Sequence, residues 1–386
     1  MKPANSIFAA LPTTIFEVMS RLAMEHGAVN LGQGFPDGNG PDDVRAKAEE
    51  FLSDRPNQYP PMMGVPELRQ AVADHGRRFY GLDIDWQRET MVTSGATEAL
   101  AAALFGLLEP GDEVVLFEPL YDSYVPIVQR AGAIPRLVRL EPPHWTLPVD
   151  ALEKAFGPKT KAVLLNSPLN PAGKVFSRAE LSHIARLVEQ HDCIAICDEV
   201  YEHIVYPGHA HVPLMTLPGM RNRCVRIGSA GKTFSLTGWK VGYVTAVPEL
   251  LAPMAKAHQF LTFTTPPNLQ WGAATGLRLG DGYFSTLAAD MQRKRDRLAE
   301  ALSDIGFDVL PAEGTYFVTT DFRPLGFNGT DEDFCRHITE KAGVAAVPVS
   351  AFYAGAGPAH FARFCFAKTD ATLDSAIARL ARHFGR

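Results

Sequence analysis

Cys224-Val-Arg-Ile-Gly228-Ser-Ala-Gly-Lys232-Thr-Phe-Ser-Leu-Thr-Gly-Trp-Lys240-Val-Gly-Tyr243 is the run on which the reading of this chain turns. An apolar, strand-like segment, Cys224 to Gly228, delivers a lone lysine, Lys232, into a loop of Gly, Ser and Thr. The Ser229 hydroxyl lies three residues before the lysine, and a second cation, Lys240, precedes Val241-Gly-Tyr243. A solvated surface lysine needs none of these neighbours. A lysine that forms a Schiff base with a phosphorylated aldehyde needs all of them: small residues for close approach, and hydroxyls and a cation for the phosphate. The sharpest competitor is a nucleotide-binding P-loop, because Gly231-Lys232-Thr233 matches the end of that motif. A P-loop requires a glycine five places before Gly231, where this chain has Arg226. Its acidic partner follows downstream, whereas the apolar run ending in Asp198-Glu199 comes before Lys232.

Strand and helix patterns alternate around this run. Apolar strand candidates fall at Thr90–Thr93, Glu113–Phe117, Ile134–Leu140, Ala162–Leu165, Ile194–Cys197, Val225–Gly228 and Val241–Ala246. Thr97–Leu108, rich in Ala and Leu, reads as helix, and Ser177-Arg-Ala-Glu180 is a capping box opening a helix to about Gln190. The alternation predicts an α/β fold: a largely parallel sheet with helices on both faces. From about Asp281 the pattern changes. A long charged helix (Tyr283 to Ile305) leads to strands near Thr315–Thr320, Val344–Pro348 and Phe361–Ala367, then a terminal helix, Thr372–Phe384. The expected division is a large domain over residues 41–280 and a smaller, discontinuous α+β domain over residues 1–40 and 281–386.

Ligands of open α/β sheets sit beyond the carboxyl ends of the strands, and the unusual residues cluster there. Thr90–Thr93 runs into Ser94-Gly-Ala96-Thr97 at a helix start, where free N–H groups and the helix dipole favour a phosphate. Ala162–Leu165 runs into Asn166-Ser-Pro-Leu-Asn170, Ile194–Cys197 into Asp198-Glu-Val-Tyr201, and Val225–Gly228 into Ser229 and Lys232. One ligand in contact with all four strand ends is the expectation.

Composition narrows the function classes. At 386 residues the chain has room for about two domains with their own cores. Net charge −6 and pI near 6.1 argue against a nucleic-acid binder, which calls for a basic patch. No apolar run reaches the ~18 residues of a membrane span, and the start, Met1-Lys-Pro-Ala-Asn-Ser-Ile-Phe8, lacks the pattern of a signal peptide. Cys193, Cys197, Cys224, Cys335 and Cys365 form no Cys-x-x-Cys pair. They read as small core residues in a reducing cytoplasm, not a disulfide framework or zinc site. His209 and His211 lie in a Pro/Gly loop without a nearby cysteine, so no metal is expected there.

Several longer stretches carry a resemblance. They are Val29-Asn-Leu-Gly-Gln-Gly34-Phe-Pro-Asp37, Asn57-Gln-Tyr59, Asp198-Glu-Val-Tyr201-Glu-His203, Gly231-Lys-Thr-Phe234, Thr237-Gly-Trp-Lys-Val-Gly-Tyr243, Glu313-Gly-Thr-Tyr-Phe317 and Arg363-Phe-Cys-Phe-Ala-Lys368. Over essentially its whole length the chain resembles the class I/II, fold-type I aminotransferases that depend on pyridoxal 5′-phosphate. Within them it is most similar to the methionine aminotransferase and kynurenine aminotransferase (glutamine transaminase K-like) branch. The resemblance implies a large domain with a mostly parallel seven-stranded sheet and a smaller α+β domain. It implies that Lys232 carries the cofactor as a Schiff base and later shuttles the substrate proton. Asp198 would pair with the protonated pyridine nitrogen; from local sequence alone it also reads as a helix N-cap. Neighbouring Asp198 and Glu199 point to opposite faces in β geometry, so only one should meet the ring. Tyr201 and Asn170 would hydrogen-bond the phenolate oxygen, and Tyr121 would stack on the ring, although alone it reads as core. The phosphate would rest on the backbone of Ala96 and Thr97, on Ser229 and on Lys240. Lysine at 240 supplies charge without the bidentate fork of arginine. Tyr59 would reach the phosphate of a neighbouring subunit, which implies a homodimer with shared active sites; a buried core tyrosine is its plain alternative.

Arg363 has an argument of its own. In Phe361-Ala-Arg-Phe-Cys365 alternation sets it among apolar neighbours, where a guanidinium needs an anion. A structural Asp or Glu would serve; the resemblance makes the anion the substrate α-carboxylate, gripped bidentately with the backbone at Gly34. Phe16, Phe263 and Thr264 match positions that line the side-chain pocket. Phe260–Asn268 contains no arginine for an acidic side chain, which favours methionine, phenylalanine, leucine or glutamine.

The first expectation is therefore a ping-pong aminotransferase in the cytoplasm, moving the amino group of a neutral or aromatic L-amino acid to a 2-oxo acid. A cysteine-conjugate carbon–sulfur β-lyase would use the same residues. A succinyl-diaminopimelate aminotransferase is the rival within the family. A cofactor-sensing transcription regulator would need a basic winged-helix segment before the domain, and the family-like pattern already begins by about Leu11.

Overall fold

Residues 2–385 are described by a computed structural model. Strands β1 (Val29–Asn30), β2 (Thr90–Ser94), β3 (Glu113–Glu118), β4 (Ile134–Arg139), β5 (Thr160–Asn166), β6 (Ile194–Asp198), β7 (Cys224–Ser229) and β8 (Val241–Thr245) precede a second group. That group is β9 (Asp308–Val309), β10 (Phe317–Asp321), β11 (Val344–Ala345), β12 (Val347–Pro348) and β13 (Phe361–Cys365). A seven-stranded sheet runs in the order β2-β8-β7-β6-β5-β3-β4, with β8 antiparallel to both neighbours and the other pairings parallel. The fold is α/β, as the alternation of patterns predicts.

Period-two alternation sorts the sheet residues onto two cores. Val115, Phe117, Val163, Leu165, Ala195 and Cys197 pack with Leu181, Ile184 and Val188 of the helix Arg178–Gln190. Their neighbours Val114, Leu116, Ala162, Leu164, Ile196 and Ile227 pack on the other face with Ala99, Leu100, Ala103 and Leu104 of the helix Gly95–Leu107. The capping box is formed: Glu180 N–H donates to Ser177 Oγ at 3.2 Å, and Ser177 N–H donates to Glu180 Oε2 at 2.8 Å.

The direction of β8 decides where Lys240 lies. The other six strands end at one edge, at Ser94, Asn166, Asp198 and Ser229 among others, while β8 begins there. Ser94 is paired with Val241 and Ser229 with Gly242, so Lys240 arrives at the edge where the parallel strands finish.

The later strands form a four-stranded sheet, β12-β13-β10-β9, and β1 pairs in parallel with β11. The run Val344–Pro348, which reads as one strand, is split: Val344–Ala345 pairs with β1, and Val347–Pro348 pairs with β13. The helix Asp281–Ile305 buries Met291, Leu298, Leu302 and Ile305, and the helix Asp370–Phe384 buries Leu373, Ala376 and Leu380, in the same core as Phe317, Phe334 and Phe364. All five cysteines are buried thiols. Among the described residues no helix is long and apolar enough to cross a membrane.

Candidate active site

Where the strand ends meet the second group of elements lies a cavity of about 330 Å³. It is lined by Phe16, Gly34, Ala96, Thr97, Tyr121, Asn170, Asp198, Tyr201, Ser229, Lys232, Lys240 and Arg363, all expected at the site from sequence.

Lys232 sits in the one-turn helix Ala230–Thr233 directly after β7. Its Nζ lies 5.8 Å from the ring centres of both Tyr201 and Tyr316. Burial lowers its pKa to about 8, against the upward pull of Asp198. Asp198 closes β6 and is buried; Tyr124 donates its hydroxyl to Oδ2 at 2.7 Å and Val200 its N–H to Oδ1 at 3.4 Å. Desolvation raises the Asp198 pKa, with those two donors working against it. Glu199 turns the other way, into an ion pair with Arg226 (2.5 Å) and a contact with His211 (3.1 Å). Asn166 ties the loop to β6: its Nδ2 donates to Asp198 O at 2.9 Å while its Oδ1 accepts from Asn170 N–H at 2.9 Å.

The start of the helix Gly95–Leu107 also borders the cavity. Two glycines allow the approach of β8. A Cβ on Gly242 would lie 2.5 Å from the Gly95 carbonyl carbon and 2.8 Å from Ala96 N. Gly95 itself has φ +77°, and a Cβ there would come 3.3 Å from Lys240 Cε. Lys240 is left-handed (φ +53°), which turns the chain into β8 with its side chain over the helix start. Ala96, Thr97, Ser229 and Lys240 all line the cavity, and free N–H groups at a helix start beside a hydroxyl and an ammonium are chemistry that suits an anion.

Arg363 projects from the middle of β13 and is 1% exposed. Nη1 donates to Asn170 Oδ1 (2.8 Å) and Nη2 to Gly32 O (2.9 Å), while Nε is buried without a partner. Its Cζ lies 3.9 Å from the Phe317 ring centre, 4.9 Å from Phe352 and 5.4 Å from Phe16. Burial lowers its pKa to about 10, so the guanidinium remains charged at neutral pH. A buried cation held by two neutral oxygens and three rings is under-compensated and invites an anion. Gly34 is forced small here: a Cβ would strike Phe317 Cζ at 2.8 Å, and Tyr316 donates its hydroxyl to Gly34 O at 2.7 Å.

Three expected residues, Tyr59, Phe263 and Thr264, lie outside the cavity. Tyr59 is 82% exposed, its ring 5.4 Å and edge-on from that of Phe263, which is itself 39% exposed. Phe263 adopts φ +65° just past the end of the helix Pro248–Leu261, and this turns it toward Tyr59 instead of the cavity. Conversely, Gln33, Tyr124, Thr237 and Phe317 line the cavity although sequence reasoning assigns them no role there, and Asn166, singled out only as a strand end, lines it too. Asn166 carries a visible signal, a polar residue closing an apolar strand. Tyr124, buried at the start of its helix, looks like core and carries none.

The chain matches the model of the family "Aminotransferase class I and II" over residues 27–380. It is 45% identical over 380 residues to the "Probable N-succinyldiaminopimelate aminotransferase DapC" of Mycobacterium tuberculosis, covering 96% of each chain. To the methionine aminotransferase of Escherichia coli it is 40% identical over 370 residues, again 96% of each. The solved N-succinyldiaminopimelate aminotransferase of Mycobacterium tuberculosis superposes with a TM-score of 0.96 at 44% identity, over 98% of this chain and 100% of that one.

Proposed function

This chain belongs to the class I and II aminotransferases and is a pyridoxal-phosphate-dependent enzyme, and from that premise we propose that it moves the amino group of a neutral or aromatic L-amino acid to a 2-oxo acid by a ping-pong cycle. The donor class is that of methionine, phenylalanine, leucine and glutamine. The cation inventory of the cavity carries this reading. Among the described residues its lining holds three cations, Lys232, Lys240 and Arg363. One is needed for the cofactor aldehyde, one for its phosphate and one for the substrate α-carboxylate. None remains for a side-chain carboxylate, while Phe16 and Phe317 offer apolar wall.

The residues fit the cofactor. A desolvated Asp198 gains a cationic partner in a protonated pyridine nitrogen, which offsets its burial. Tyr121 supplies a ring face for stacking, and Tyr201 and Asn170 supply hydrogen bonds to the phenolate oxygen. The N–H groups of Ala96 and Thr97, with Ser229 and Lys240, take the phosphate. When bound, pyridoxal phosphate supplies an electron sink for the substrate Cα and carries the amino group between half-reactions. Lys232 would hold the cofactor by its aldehyde and, as a free amine, would move the proton at the substrate Cα. Arg363 orients the substrate by its carboxylate, with the Gly34 backbone alongside, so that the Cα hydrogen faces the lysine.

We read the protein as a cytoplasmic homodimer, with a large domain over residues 41–280 and a small one over 1–40 and 281–386. Pairing of β1 with β11 supports joining the N-terminal segment to the small domain. Exposed aromatic side chains support the dimer: Tyr59 at 82% and Phe263 at 39%, in edge-on contact, and Phe260 at 83%. In this reading Tyr59 and Phe263 serve the partner's cavity.

Identity to the Mycobacterium tuberculosis protein, 45% against 40% for the methionine enzyme, favours a second reading, an N-succinyldiaminopimelate donor. That donor bears further carboxylates and would need a cation beyond the three, brought by a partner subunit. The deciding experiment is the absorption spectrum of the holoenzyme with L-methionine and no oxo acid. Conversion from the aldehyde-form to the amine-form band is expected. Conversion by N-succinyldiaminopimelate but not by methionine would discard the neutral-donor reading and keep the family.

A further inference from the structure

Away from the cavity, on the side of β6 to which Glu199 turns, lies a second cluster of titratable side chains. His75, on the helix Pro66–Tyr80, and His203, in the turn after β6, face each other with their Nε2 atoms 2.6 Å apart. Glu202 stands beside them: a nitrogen of each imidazole and a carboxylate oxygen of Glu202 lie within 4.8 Å of one another. We propose that His75, His203 and Glu202 form a binding site for one divalent transition-metal ion of the zinc class.

Three observations carry this. First, Glu202 keeps one oxygen open: its Oε2 accepts from Tyr80 at 2.6 Å and from Arg226, whereas its Oε1 is buried with no hydrogen bond formed, beside the equally unpaired hydroxyl of Tyr243. Second, charge is unbalanced. The buried cation Arg226 faces two buried carboxylates, Glu199 and Glu202, and the nearby Arg78 is engaged at the surface by Asp281. Third, the surroundings are apolar and stiff. The Phe79 ring centre is 4.7 Å from His75 and 4.8 Å from His203, and Phe284 is 4.4 Å from His203.

A donor set of two imidazoles and one carboxylate suits zinc-class ions and not magnesium or calcium, which prefer all-oxygen shells. Tetrahedral bonds of about 2.0–2.1 Å would set the two nitrogens roughly 3.3 Å apart, so the rings need part by less than ~1 Å. Three protein ligands leave a fourth position for water. The overlapping set of Glu199, Glu202 and His211 is a weaker candidate, because Glu199 already holds both Arg226 and His211. The ion would fasten the helix Pro66–Tyr80 to the turn that follows Asp198 and carries Tyr201, and so act on stability rather than on chemistry.

The test uses holoenzyme stripped with a chelator, loaded with Co²⁺ alone and desalted. A second, half-buried imidazole pair, His337 and His383 with Nε2 atoms 3.1 Å apart, offers the ion another place, so the protein carries His383→Gln. About one Co²⁺ per chain is expected to remain, with the intense visible bands of a four-coordinate site. His203→Gln is the decisive variant, since His203 is only half-buried and its replacement opens little space. It should lose the ion and any rise in Tm on adding Zn²⁺, while keeping the cofactor absorbance that reports a folded cavity. No retained Co²⁺ in the parent, or equal retention in His203→Gln, would overturn the proposal.

Discussion

Lys232 and Arg363 are both cations taken out of water, with different consequences. Burial brings the Lys232 pKa from 10.5 to about 8. An amine attacks an aldehyde only when neutral, and its neutral fraction rises with pH up to its pKa. Uptake of pyridoxal phosphate by apoenzyme should therefore climb about tenfold per pH unit below pH 8 and level off above it. Stopped-flow absorbance checks this; a rate still climbing steeply past pH 10 would mean an ordinary solvated lysine. Arg363 titrates far above neutrality, so its effect is on affinity. Arg363→Ala should lower kcat/KM for the amino acid by about 2–5 kcal/mol, roughly 30- to 5,000-fold, through loss of a buried charge–carboxylate pair. Cofactor absorbance should persist in that variant, separating substrate grip from cofactor grip.

At the scale of elements, the reversed strand β8 supplies one end of the cavity. Being antiparallel, it begins where its neighbours end, and its first residues lie on the start of the helix Gly95–Leu107. Gly242 makes that contact possible, since a Cβ would lie 2.5 Å from backbone that cannot move freely. Gly242→Ala should push β8 and Lys240 away from the helix N-terminus. The expected cost to cofactor binding is about 1–3 kcal/mol, roughly 5- to 150-fold in Kd, typical of overpacking. Equilibrium titration of apoenzyme with the cofactor measures it, and an unchanged Kd would show that the anion site does not depend on this approach.

For the whole molecule, a two-fold dimer in which Tyr59 serves the partner's cavity makes a prediction no monomer can meet. In such a dimer Lys232→Ala would lack the anchor, and Tyr59→Ala would lack the phosphate contact lent across the interface. Mixed subunits contain one cavity with both residues intact. Co-refolding equal amounts of the two variants should restore activity to about one quarter of wild type by random pairing, measured as transamination after size-exclusion chromatography. Activity no greater than the mean of the separate variants would remove Tyr59 from the partner's site.

Much of this was legible in the residues. Apolar runs at period two, turn chemistry at Ser94-Gly95 and Asn166-Ser167-Pro168, and the capping box at Ser177 fix strands, strand ends and helix start within a residue or two, because each depends on neighbours in sequence. Convergence of Asp198, Ser229 and Lys232 on one cavity was readable for the same reason: all stand at carboxyl ends of parallel strands. Other features depend on contacts between residues far apart in the chain. Tyr124 reaches Asp198 across 74 positions, Arg363 finds Asn170 and no carboxylate, and His75 meets His203 across 128 positions. Nothing local marks these partners, since each residue alone fits an ordinary core or surface role. Sequence by itself determined the α/β architecture, the lysine and the edge at which it would act. Only the tertiary structure decided which buried charges were left without a counter-ion, because desolvation and pairing are properties of the packed interior and not of the chain that fills it.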